Sequence, residues 1–324
     1  MLSNILETEI AIKLVKDTFE IKLAKNLELV RVSAPLIVRN DSGLNDDLNG
    51  VERPVSFDIL ETKVEASIVH SLAKWKRLAL KRYNFPNHKG LYTDMNAIRR
   101  DETTDELHSI YVDQWDWERT ILHQERTIET LKNNVKAIYK SILQTQRKVC
   151  HRYKNIINYF PKEVFFITSQ ELLDMYPTLT SKEREYQITK EKKAVFIIGI
   201  GNKLSNNEVH DNRAPDYDDW MLNGDLLVYY PPLDLAIELS SMGIRVTEES
   251  LVTQLKEKNC LHRLEYPFHK ALLNKELPYT IGGGIGQSRL CLIMLNKRHI
   301  GEVQASIWPD EMIEKYQKNN VEFL

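Results

Sequence analysis

At 324 residues the chain has room for one large domain or two modest ones, and 42% hydrophobic with 28% charged residues is the balance of an ordinary folded protein. Lys and Arg total 44 against 46 Asp and Glu, a net charge of −2, so no global basic field exists to collect nucleic acid non-specifically. Cys150, Cys260 and Cys291 are too few and too scattered for a disulfide framework or a structural zinc site.

The first segment, LSNILETEIAIKLVKDTFEIKLAKNL, places Leu6, Ile10, Leu14 and Phe19 at helical spacing and predicts an amphipathic helix over 3–26. Its acidic residues (Glu7, Glu9, Asp17, Glu20) argue against a signal or transit peptide. No apolar run approaches the ~18 residues of a membrane span. The expectation is a reduced, soluble, cytoplasmic protein with no membrane partner.

LELVRVSAPLIV reads as a strand that Pro35 bends or confines to an edge. NDSGLNDDLNG (40–50) is a turn-rich acidic loop, VSFDIL and EASIVH are strands, and LAKWKRLALKRY is a helix. GLYTDMNAIRR and HSIYVDQWDWERTI alternate like an antiparallel pair joined by the polar loop DETTDEL. A long helix is predicted over 120–155 and a short buried strand at AVFIIGIG. The polar stretch 202–225 is long for an idle connection and reads as an active-site flap. LLVYY and LAIELSSMGIRV follow as strands, ESLVTQLKEK and LEYPFHKALLNKE as helices, then PYTIGG as a strand and GQSRLCLIMLNK as a helix. No repeat or Pro/Gly/Ser linker divides residues 1–324. The pattern predicts one α+β domain, with a mostly antiparallel central sheet flanked by helices.

Four of the twelve glycines fall in TIGGGIGQSRL (280–290), with Arg289 three residues beyond Gly286. The P-loop pattern fails because no Lys-Ser or Lys-Thr follows, and the dinucleotide fingerprint fails because Gln287 stands where its third glycine belongs. What remains is a glycine strand running into a helix that carries an arginine in its first turn. Bare backbone lets a flat ring lie close, the helix N-terminus favours an anion, and the guanidinium offers a forked phosphate donor.

The run resembles the third signature motif of class II aminoacyl-tRNA synthetases. AIRRDE (97–102) is similar to the arginine motif on that family's hairpin, and DQWDWE (113–118) to the return strand of its aspartyl and asparaginyl branch. AIELSSMGIR (236–245) resembles the strand whose glutamate holds ATP-bound magnesium, and LVRVSAPLI the proline-ended strand of a dimer interface. Further stretches, VHSLAKWKR, LHSIYVDQWDWER, SQELL, HDNRAPDYDDW, LNGDLLV and ELSSMGIRV, resemble the ammonia-dependent asparagine synthetases, or aspartate–ammonia ligases.

That resemblance implies a class II synthetase-like catalytic domain and a homodimer. It also implies L-aspartate, ammonia and ATP as substrates, Mg²⁺ as cofactor and a β-aspartyl-adenylate intermediate. Arg99, by the R-x-D-E pattern, would take the α-phosphate, with adjacent Arg100 the alternative. Arg289 would take the β/γ end and Gly284 the nucleotide. Ser240 and Ser241 would line the site. Glu238 is the magnesium candidate, and Asp225 in LNGD a second, although NGD is also a turn signal. Asp46, Arg99 and Gln114 would surround the reacting centre, with Asp46 drawing ammonium in and helping deprotonate it.

Aspartate carries one ammonium and two carboxylates. Asp46 and Asp116 suit the first, Lys76 and Gln114 the second. Arg213 and Asp218 in the long loop are assigned to ATP. Residue 2 is Leu and neither Cys260 nor Cys291 has a neighbouring base, so a glutaminase nucleophile is missing and free ammonia is the consistent donor. The alternatives are a tRNA-charging enzyme, for which an N-terminal anticodon domain finds no room, and an inactive synthetase relative acting as a binding module.

Overall fold

The computed structural model describes residues 4–46 and 52–324. Helix α1 (Ile5–Leu27) starts where the Asn4 side chain accepts the Glu7 amide at 2.8 Å, and buries Ala11, Val15, Phe19 and Leu23. Strand β1 (Leu29–Arg31) follows, and β2 (Ile37–Arg39) only after the break around Pro35. Next come β3 (Ser56–Ile59), β4 (Val64–Ile68) and α2 (Ala73–Arg82). The hairpin β5 (Gly90–Ile98) and β6 (Tyr111–Thr120) leads to α3 (Ile128–Arg152). Then follow β7 (Phe165–Thr168), α4 (Ser169–Met175), α5 (Ser181–Lys192), β8 (Ala194–Ile198), β9 (Asp218–Tyr230) and β10 (Leu235–Arg245). Helices α6 (Glu248–Glu257) and α7 (Pro267–Leu273), strand β11 (Thr280–Gly286) and helices α8 (Gln287–Met294) and α9 (Asp310–Gln317) complete the chain.

The main sheet has the order β1-β5-β6-β11-β10-β9-β8-β7. Its edge pairs β1/β5 and β7/β8 are parallel and the inner pairs antiparallel. Strands β2, β4 and β3 form a small separate sheet. This is the expected α+β architecture, with parallel edges that the alternation did not announce.

Several boundaries differ from expectation. The long helix begins at Ile128, because 111–120 is strand and Thr127 caps the helix by accepting the Thr130 amide at 3.2 Å. Helices α4 and α5 are additions, both announced by a T-x-x-E capping box, Thr168–Glu171 and Thr180–Glu183. Strand β9 starts at Asp218, so the polar loop ends at 217, and Asp218 and Asp225 lie on the sheet.

One face of the sheet carries the main core. Trp115 and Trp117 of β6, Ile281 and Ile285 of β11 and Met242 and Ile244 of β10 pack there with α1, α3 and α8. Phe19 meets Trp115 at 4.6 Å between ring centroids. On β6 the alternation therefore turns Gln114, Asp116 and Glu118 to the opposite face.

The chain behind α8 seals this core with His299, which is buried, stacks on Phe323 at 4.4 Å and accepts the Gly301 amide on Nδ1 at 2.9 Å. Burial pushes its imidazole down from 6.5 to about 4. The unfolded chain takes up a proton first on acidification, so this stabilisation is complete above 6.5 and is lost as the pH falls towards 4. By about pH 5 the loss amounts to about 2 kcal/mol. Urea denaturation at about pH 7.5 and about pH 5 checks it: His299→Phe should show a smaller acid loss than the parent, and equal losses would refute the assignment.

Candidate active site

The face of β6, β11 and β10 opposite the core floors a cavity of about 490 Å³. Gly284 and Gly286 leave its floor bare, and Gly282 beside them lies against Glu118 and Arg245. In register, Gly284 lies between Asp116 and Ser241, and Gly282 between Glu118 and Gly243. A Cβ on Gly284 would stand 2.7 Å from Asp116 Oδ1, and one on Gly282 2.7 Å from Arg245 Nη2. None of these three glycines has a positive φ. At Gly282 and Gly284 close approach of neighbouring side chains, not a special backbone conformation, is what excludes a side chain.

On the same face, over Gly282, lies a charge network in which the sequence singles out only Asp218. Arg245 of β10 donates to Glu118 of β6 at 2.7 and 3.0 Å and pairs also with Asp218. Thr280 Oγ1 donates to Glu118 at 2.6 Å. All four side chains are buried. Burial opposes both charges of the central pair, but each holds the other ionised: Glu118 stays below its ordinary range and Arg245 above. The i, i+2, i+4 spacing of Gln114, Asp116 and Glu118 was the sequence signal for Glu118.

Helix α2 forms a wall. Its Lys76 ammonium is buried 3.3 Å from Asp116 Oδ2 and donates to the Gly283 carbonyl at 3.0 Å. Burial pulls the Lys76 pKa down while Asp116 opposes. Arg77 ties the helix down through the carbonyls of Pro278 (2.8 Å) and Val246 (2.9 Å).

Asp46 is buried at 3% exposure and lines the cavity, and its backbone carbonyl meets His70 Nδ1 at 3.1 Å. Asp47, its neighbour in the acidic loop, lies outside the described residues. Arg99, just beyond β5, is half-buried, 3.8 Å from Glu102, and its Nε has no hydrogen-bond partner. Arg100 is exposed at the rim. Arg289 comes from the first turn of α8 and donates to the Glu238 carbonyl at 3.1 Å and the Leu107 carbonyl at 3.5 Å. Arg99 and Arg289, 190 positions apart in the chain, thus line one cavity with Gln114, Asp116 and Lys76.

The α8 N-terminus holds an anion from within the chain. Asp113 already occupies it, accepting the Ser288 amide at 3.0 Å and hydroxyl at 2.8 Å, with Lys16 at 3.0 Å. A carboxylate held at the first turn engages the Ser288 amide, one of the leading N–H groups of the helix. The Arg289 side chain adds a cationic group in that first turn.

On β10 a bulge between Glu238 and Ser240 shifts the alternation. Ile237, Leu239 and Met242 turn to the core, whereas Glu238 and Ser241 both line the cavity. Ser240 Oγ donates to the Gly284 carbonyl at 2.8 Å. Asp225 lies opposite Ser241 on β9, buried and paired with Arg213. Burial raises the Asp225 carboxyl to about 7; Arg213 opposes that rise, and Glu238 adds to it.

Residues 211–214 and 217 of the expected flap line the cavity. Tyr217, which the motif reading passed over, has its ring 5.7 Å from the Arg245 guanidinium. Burial pushes its phenol well above the ordinary range, and the charges of Asp46 and Asp218 push it the same way. Among the described residues no group of three or more His, Cys, Asp or Glu side chains converges to hold a metal. No helix among them is long and apolar enough to cross a membrane.

The family model described as aspartate–ammonia ligase matches residues 6–320. The chain belongs to the aspartate–ammonia ligase family. A relative of that name from Clostridium perfringens is 62% identical over 324 residues, covering 100% of this chain and 96% of that protein. Another from Ruminiclostridium cellulolyticum is 61% identical over 98% of this chain and 95% of that one. Among solved structures, the asparaginyl-tRNA synthetase of Pyrococcus horikoshii complexed with asparaginyl-adenylate superposes with a TM-score of 0.67. It covers 93% of this chain and 70% of that one at 14% identity. The likeness gives this ligase the class II synthetase catalytic fold.

Proposed function

We propose that this ligase activates the side-chain carboxylate of L-aspartate with ATP, releasing pyrophosphate, and transfers the β-aspartyl group to ammonia to give L-asparagine and AMP. The observation that carries this is the convergence of Arg99 and Arg289 on the cavity that also holds the Lys76–Asp116 pair. Adenylation is needed because ammonia cannot expel oxide from a carboxylate, whereas it can expel AMP.

The half-buried Arg99, with an unused Nε, meets the α-phosphate as negative charge gathers on phosphorus. Arg289 takes the β/γ end, and the bare lane at Gly284, edged by Ser240 and Ser241, receives the nucleoside. Arg213 and Asp218 border the same nucleotide. Asp116 accepts the substrate ammonium, and Lys76 and Gln114 donate to its carboxylates. The buried Asp46 attracts ammonium and accepts the proton it must lose before the nitrogen can attack.

Glu238 and Asp225 fit a magnesium ion in their chemistry: two hard carboxylates, Asp225 raised first by burial and further by the charge of Glu238, the remaining positions being left to phosphate and water. Bound there, Mg²⁺ would neutralise charge on the leaving pyrophosphate. The exposed apolar side chains Val30, Leu36 and Ile37 along the proline-broken β1–β2 stretch support a homodimer, which sedimentation would test. A small polar cavity and near-neutral charge fit small-molecule substrates, with no nucleic-acid partner, in the cytoplasm.

The test is direct. Purified protein with aspartate, ATP, Mg²⁺ and ammonium, without tRNA, should form asparagine, AMP and pyrophosphate in proportion to ammonium. No asparagine in that assay together with aminoacylated tRNA once tRNA is added, or ATP binding without pyrophosphate release, would sink the reading.

A further inference from the structure

A second buried charge cluster lies behind the cavity and contributes nothing to its lining. Asp216 is fully buried between the loop wall, α2 and α7. Its Oδ2 accepts from Lys74 of α2 at 3.2 Å, from Arg263 at 3.1 Å and from His269 of α7 at 3.0 Å. Burial opposes the charge, yet Lys74 and its companions hold the carboxyl far below the usual carboxylate range. A carboxylate with three donors on one oxygen fixes three elements at one point.

Both chain directions out of this point lead to the cavity. Within the loop, Arg213 and Ala214 precede Asp216, and Tyr217 and Asp218 follow it; all four line the cavity. Gln254 of α6 braces the same turn by donating to the carbonyls of Pro215 and Asp218, each at 2.9 Å. Along α2, Lys74 stands two residues before Lys76, whose ammonium sits against Asp116. Under the function proposed above, the loop serves ATP and Lys76 serves aspartate.

We infer that Asp216 is a positioning residue that locks the ATP-side loop to the aspartate-side helix, so that both half-sites depend on one buried carboxylate. A residue that only supported the fold would lower stability without touching KM. A residue contacting one substrate would raise one KM. Asp216 should raise both.

The experiment uses the full chain. Asp216→Asn keeps the volume but removes the charge and presents an amide to Lys74. It is expected to raise KM for ATP and KM for aspartate together, each about fivefold to tenfold, with a smaller change in kcat. Asp216→Glu should recover part of both. Should Asp216→Asn fail to fold, Lys74→Met takes its place: it cuts only the tie to α2, leaves Arg263 and His269 on Asp216, and should again raise both KM values. A folded variant in which only one KM rises, or neither, overturns the inference. If the parent protein makes no asparagine, the functional reading has failed instead, and the two failures are distinguishable.

Discussion

Arg99→Ala lowers turnover by about a hundredfold to a thousandfold and leaves the fold intact, the loss expected when one preorganised donor to a developing oxyanion is removed. The fold survives because the guanidinium has only a long contact, 3.8 Å, to Glu102, and is about a quarter exposed. Its backbone amide, which the substitution keeps, already closes the hairpin through the Ile110 carbonyl at 2.8 Å. Arg99→Lys should recover little, since a point charge does not reproduce the planar fork. Arg100→Ala serves as the control, its side chain being exposed. The measurement is aspartate-dependent pyrophosphate release beside a thermal melt. Parent-like turnover in Arg99→Ala, or a larger loss in Arg100→Ala, would exchange or remove the assigned role.

The second large effect is on stability. Arg245→Met removes the cation between Glu118 and Asp218 beside Gly282. Removing one partner of a buried pair typically costs about 3 to 5 kcal/mol because the orphaned charge stays out of water. Here two carboxylates lose their shared cation, while Thr280 still donates to Glu118 and Arg213 still acts on Asp218, so a loss within that range is expected. Adding Glu118→Gln should recover part of the loss by removing one uncompensated charge. Urea midpoints of the parent, single and double variants decide this. A single variant as stable as the parent would show that the network contributes no net stability.

These two predictions differ in how far the sequence foretold them. Arg99 was legible because the hairpin alternates and AIRRDE has a recognisable neighbourhood. Arg245 was not, although it ends a stretch quoted for its likeness to the magnesium strand. Its partner Glu118 is 127 positions away, and nothing local records that pairing. Asp113 gives the same lesson. It is the first residue of DQWDWE, yet only the packing of β6 against α8 makes it an acceptor for the Ser288 amide and hydroxyl at the helix end. Helices α4 and α5 are the opposite case: their T-x-x-E boxes were present and carried enough local information.

By itself the sequence determined the element types of the hairpin, the glycine strand and α8, and the face on which Gln114, Asp116 and Glu118 lie. Those follow from local periods of two and 3.6 residues, which are properties of neighbouring positions. Tertiary structure alone decided the parallel edges of the sheet, the bulge that brings Glu238 and Ser241 to one face, and the partners of Arg245 and Asp216. Strand register and buried ion pairing depend on which distant segments share a desolvated space, and no period along the chain encodes that.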